Sequence, residues 1–150
     1  MKAQEGAMGK INGTRVFLGG LLAGVIFSVL YYGASFLYLG KRWSAALEAL
    51  GHPVETSGSS LAVGIVINFL LGISAVWLYA LIRPRCGAGA KTALFAGVAF
   101  WVLTGLLPTI MWGTLRLFSV RLLTIDALSY LAMAIIATLL GAWVYKEEAA

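Results

Sequence analysis

Few side chains in this chain of 150 residues are equipped for chemistry. Three polar positions stand inside otherwise apolar runs. They are Asn68, Thr104 with Pro108 four residues on, and Asp126, which follows Arg116 and Arg121. An amide in hydrocarbon must find a partner or leave a polar group unpaired. Asn68 is therefore expected either to hold a neighbouring helix or to touch a solute. A hydrogen bond between helices contributes only about 0.6 kcal/mol in a membrane protein, enough to set rotation but not to hold a fold. Pro108 has no N–H, and its ring clashes with the carbonyl of Thr104. A kink with a freed carbonyl is expected there, and broken helices of this kind line cavities. Asp126 is expected to cap a helix by accepting from its first amides, or to pair with Arg116 or Arg121. The alternative is a charged outer vestibule.

Other chemistries find no footing. Cys86 is alone, which excludes an internal disulfide and a cysteine-based metal cluster. His52 is the only histidine, and no ligand spacing surrounds it. The chain has no nucleotide-binding loop, no zinc-protease motif and no nucleophile elbow. "CGAGAK" (86–91) is small and basic but lacks the glycine spacing of a phosphate loop. Paired carboxylates, the usual relay of proton-coupled transport, are missing from the apolar runs. No catalytic residue, cofactor or metal is expected.

The elements that must position Asn68, Thr104 and Asp126 are read from hydropathy. The chain is 61% hydrophobic and 11% charged, with mean hydropathy +0.91. Soluble domains carry about 25% charged residues. A surface that meets lipid explains the shortfall, because charge is costly there. A bilayer core needs about 20 apolar residues as a helix. Four stretches meet this, at 16–39, 61–82, 92–115 and 124–145. The first three contain no ionisable Asp, Glu, Lys, Arg or His, and the fourth only Asp126. Despite their glycine content, helix is the one economical form in lipid. Residues 1–14 form a polar tail with no signal-peptide pattern behind it, so the first apolar run is expected to stay as a span.

Between spans one and two, Trp43, Ala46, Leu47 and Leu50 fall on one helical face, with Ser44 and Glu48 opposite. Gly51 and Pro53 end that pattern. A helix this short is marginal in water but is stabilised with its apolar face in the headgroup boundary. Residues 41–50 are thus expected to lie on the outer membrane surface, joined to span two by the flexible "ETSGSS".

Small residues recur every four positions, as close helix approach in lipid requires. The stripes are Gly20–Gly24–Ser28, Gly64–Asn68–Gly72, Ala93–Gly97–Gly105 and Ala134–Thr138–Ala142. They serve either the bundle seam or a homo-oligomer contact. "AGVIFSVL" (23–30) matches "AGVAFWVL" (96–103) at six of eight positions, 73 residues on. "AVWLY" (75–79) and "GAWVY" (141–145) share Trp and Tyr 66 residues apart. Spans 1–2 and 3–4 would then be parallel repeats of one hairpin, with residues 24 and 97 equivalent.

Lys2, Lys10, Arg15, Arg83, Arg85, Lys91 and Lys146 lie on the side of the termini, and Lys41, Arg42, Arg116 and Arg121 on the other. This bias favours cytoplasmic termini. The bases flank spans rather than forming a patch with interleaved aromatics, which argues for lipid headgroups and against nucleic acid. Trp43, Trp77, Tyr79, Trp112, Trp143 and Tyr145 are expected near the interfaces.

At "RVFLGGLLAGV", "AVWLYALIRPRCGAGAKTAL" and "TLLGAWVYKE" the chain resembles a family of small four-helix bacterial integral membrane proteins, catalogued as hypothetical proteins. The resemblance covers nearly the whole chain and implies a bacterial inner-membrane setting. It implies no activity and no site residues.

The expectation is an all-α bundle of four transmembrane helices forming one domain over 1–150. The leading function is a non-catalytic structural or accessory role through helix–helix association, in a homo-oligomer or a larger membrane complex. The alternative is a small oligomeric transporter or channel, with a polar passage lined by Asn68 and Thr104.

Overall fold

The structure, a computed structural model, describes residues 11–54 and 57–146. Most of the polar tail and two residues of the "ETSGSS" link lie outside these. Among the described residues every regular element is helical. They are α1 (Gly13–Ala34), α2 (Gly40–Ala49), α3 (Gly58–Cys86), α4 (Ala90–Trp101), α5 (Leu107–Thr114) and α6 (Val120–Val144). A π-helical turn, Ser35–Leu39, joins α1 to α2, and a second, Val102–Leu106, joins α4 to α5. The result is four helices long and apolar enough to cross a membrane: Gly13–Ala49, Gly58–Cys86, Ala90–Thr114 and Val120–Val144. The protein is a multi-pass four-helix bundle. Its outside is apolar, with Phe36 86% and Trp143 81% exposed, a surface that only lipid solvates without penalty.

The spans run somewhat longer than hydropathy alone indicates because polar caps extend them. Asn12 accepts from the Arg15 amide, and Ser119 from that of Leu122. Ser57 and Ser60 form a reciprocal capping box at the start of α3. At its end, α3 continues through Arg83, Pro84 and Arg85 to Cys86, two bases complementing the helix dipole.

The amphipathic helix expected over 41–50 is present as α2, with one difference. It is not a separate surface segment but the continuation of α1, giving a helix of 37 residues, roughly 55 Å at 1.5 Å per residue. Its Trp43 ring packs edge-on against Phe118 at 4.9 Å, so the apolar face turns toward the end of the bundle.

The glycine stripes are consumed inside the chain. A Cβ on Gly24 would stand 2.7 Å from the Phe69 backbone, and one on Gly20 2.5 Å from that of Ile73. Gly72 faces back onto Gly20 and Gly24. This seam between α1 and α3 leaves those three glycines no face for an oligomer contact. Gly64 meets only the Tyr32 hydroxyl.

The contacts follow the two repeat offsets. Gly24 rests on Phe69, and Gly97 rests on Ile135, their counterparts 73 and 66 positions on. Equivalent residues also meet each other. Phe27 and Phe100 have ring centroids 6.1 Å apart, and Tyr79 and Tyr145 stand edge to face at 6.0 Å. Such self-pairing is what a two-fold relation along the bundle axis produces. It also corrects one expectation: Tyr79 and Tyr145 are buried against one another rather than set in the lipid interface. Ala23, Ala75, Ala96, Ala134 and Ala137 fill the middle with no exposure.

Candidate functional site

The four spans leave a cavity of about 470 Å³ in the half of the bundle away from the termini. Its polar lining comes from all four. α1 supplies Tyr31, α2 Trp43, α3 Asn68, the second π turn Thr104, α5 Trp112, and α6 Asp126 and Tyr130. Phe27, which contacts both Phe100 and Tyr130, lies beneath it.

Local structure explains how each side chain arrives. The second π turn falls just before Pro108, which takes a first-turn position in α5, where an N–H is dispensable. The disruption expected at Pro108 thus takes the form of a widened turn. Gly105 in this turn lets the Tyr130 ring lie against the backbone. The Tyr130 hydroxyl pairs with Thr104 Oγ1 at 3.1 Å, and Thr104 also donates to the Phe100 carbonyl at 2.8 Å. A β-carbon at residue 105 would displace that ring.

Asp126 departs from its expected role. Ser119, not Asp126, caps α6. Asp126 sits nearly two turns further in, half-buried, and Oδ1 accepts from Trp43 Nε1 at 3.1 Å. Among the described residues no Lys or Arg pairs with it. Arg116 lies in the connection before α6 with a left-handed backbone, φ 53°. Arg121 faces out beside Arg42 at a separate shallow surface recess. Arg121 cannot reach the cavity face of α6 from its place on the helix, because residues five apart diverge by about 140°.

Asn68 also departs from its expected role as helix glue. It is only 6% exposed, and its Nδ2 donor has no hydrogen-bond partner. Buried amides in native structures are nearly always paired, so an orphan donor on a cavity wall calls for an explanation.

Thus Asn68, Thr104, Pro108 and Asp126 come together with Gly64 at one cavity. Gly20, Gly24 and Gly72 belong to the seam that frames it, and Arg116 and Arg121 lie outside it. Sequence reasoning did not select Tyr31, Tyr130, Trp43 or Trp112 as lining. Tyr130 was detectable, being four residues after Asp126 and so on the same helix face. The set can bind through one carboxylate, one free amide donor, two phenols and two indoles. Among the described residues, no three His, Cys, Asp or Glu side chains gather as a metal site would need.

Comparisons with known proteins add no relative: no family model, curated protein or solved structure matches this chain.

Proposed function

We propose that this is a non-catalytic multi-pass protein of a bacterial inner membrane, with cytoplasmic termini, that binds a small organic cation in its far-end cavity. The observation that carries this reading is Asp126. A carboxylate half-buried among Tyr31, Trp43, Trp112 and Tyr130, with no basic partner among the described residues, supplies the charge that a cation would balance. Aromatic faces attract cations by about 0.5–2 kcal/mol each, more as water is removed. The unpartnered Asn68 amide would fix the ligand's polar end. Binding here is the first requirement of a carrier. The accessory role through helix association has less support, since Gly20, Gly24 and Gly72 are occupied within the chain.

The test is calorimetric titration of the full chain in nanodiscs with benzoylcholine, an aromatic quaternary ammonium ester whose carbonyl can accept from the Asn68 amide. Saturable binding is expected, weakened on the order of tenfold or more in Asp126→Asn, from hydrogen-bond and charge terms of about 1.5–3 kcal/mol. Absence of binding, or equal binding by Asp126→Asn, sinks the reading.

A further inference from the structure

A second cavity, of about 420 Å³, opens at the end that carries the termini. Tyr79, Arg83, Gly89, Ala90, Tyr145 and Lys146 are among its lining residues. Its chemistry is opposite to that of the first. Among the described residues this end has Arg15, Arg83, Arg85, Lys91 and Lys146 and no acid; the acids among them, Glu48 and Asp126, lie at the far end.

Three features converge on the space. First, α4 begins here after Gly89, whose φ of 134° brings the chain round the tight turn between α3 and α4. No side chain caps this helix, so the amides of its first turn keep the partial positive charge that attracts anions. Second, the Tyr145 hydroxyl has no hydrogen-bond partner although Tyr145 is only 4% exposed. Its repeat counterpart, Tyr79, accepts from the Gly89 amide at 3.3 Å. The orphan is therefore a feature of one repeat only, at the cavity wall. Third, the Arg83 guanidinium lies over the Tyr145 ring, 5.3 Å from its centre, and Lys146 follows at the rim.

We infer that this cavity is a binding site for a phosphate group, carried by an anionic lipid headgroup or free in solution. The Tyr145 hydroxyl donates to a phosphate oxygen, the open helix start faces it, and Lys146 supplies charge at the rim. Basic pockets between transmembrane helices recognise lipid phosphates in this way. The loop "CGAGAK" thus has a place in an anion site without the spacing of a nucleotide loop.

The experiment uses the full chain. Native mass spectrometry from mixed micelles compares retention of phosphatidylglycerol with that of phosphatidylcholine. Equilibrium dialysis with labelled inorganic phosphate, in neutral detergent, forms the second arm. Tyr145→Phe and Lys146→Gln are read beside Lys41→Gln, a far-end control. Phosphatidylglycerol is expected to be retained over phosphatidylcholine. Tyr145→Phe should lower retention on the order of tenfold, as loss of a hydrogen bond to a charged group does. Its thermal midpoint should not fall, because the hydroxyl has no partner to lose. Retention of the lipid without phosphate binding identifies the headgroup as the source. Binding in both arms, each reduced by Tyr145→Phe, identifies the phosphate itself. The inference is overturned if neither probe binds, or if Tyr145→Phe leaves binding unchanged.

Discussion

The two ends of the bundle are built on the same four helices yet offer opposite chemistry. The far end presents one carboxylate among aromatic rings, and the terminal end presents bases, phenols and an open helix start. Between them, each helix passes through the packed middle formed by Phe27, Val76, Phe100 and Thr138. Contacts at the two sequence offsets recur in the common frame, and positions where the hairpins differ in residue type set the two ends apart. Tyr31 stands where Thr104 stands in the second hairpin, Gly64 where Tyr130 does, and Asn68 where Ala134 does. Each small residue faces a tyrosine of its own hairpin, Gly64 the Tyr32 hydroxyl and Gly105 the Tyr130 ring. The packed middle keeps its symmetry because each contact there needs its mate. The ends diverge because a cavity wall does not.

The contrast is easiest to break at the shared middle. Gly72→Leu would drive a side chain into the backbone of Gly20 and Gly24. A loss of about 3 kcal/mol or more is expected, at the upper range of overpacking. Both cavities should fail together, read as a fall in thermal midpoint in detergent with loss of both ligands. Gly33→Ala, where an added Cβ meets open space, should leave the midpoint unchanged. If Gly72→Leu is as stable as Gly33→Ala, the seam between α1 and α3 is wrong.

A sharper cut separates the ends. Asp126→Asn should abolish most cation binding while leaving retention of phosphatidylglycerol within about twofold, since the two sites share no lining residue. Loss of both ligands would mean that the ends are coupled and that the middle is not a rigid divider.

Asn68→Leu tests the amide alone. Replacing an unpaired buried donor with an apolar group of similar size should raise stability by about 1 kcal/mol, while cation affinity falls several-fold. A drop in stability instead would reveal a hydrogen bond made by Asn68 that supports the fold.

The smallest effect is expected outside both cavities. Arg116 holds a left-handed backbone at φ 53° in the turn before α6. Arg116→Gly should relieve that strain and stabilise by about 0.5–1 kcal/mol, with neither ligand affected. An unchanged or lower midpoint would show that the arginine side chain compensates for the backbone.

The sequence alone determined the class of object and much of its plan. Hydropathy is additive along a helix, so four spans were legible without any knowledge of contacts. Asn68, Thr104 and Asp126 of the far-end lining could be nominated too, because a polar residue in an apolar run stands out wherever it points. The paired "AGV" and "AVWLY"-type segments marked residues that meet in the bundle, Phe27 with Phe100 and Tyr79 with Tyr145. Partners were not legible. Asp126 was expected to pair with Arg116 or Arg121, to cap its own helix or to stand in a charged outer vestibule, and its hydrogen-bond partner is Trp43, 83 residues away. Asn68 was expected to bond a helix or to touch a solute, and its donor bonds no helix. Tyr79 and Tyr145 read as an interfacial belt and are buried against each other. Sequence spacing fixes which face of a helix a side chain occupies, but not which helix that face meets. That choice was made by the glycine seams and the pairing of the two hairpins, and so only the tertiary structure decided where charge, amide and phenol converge.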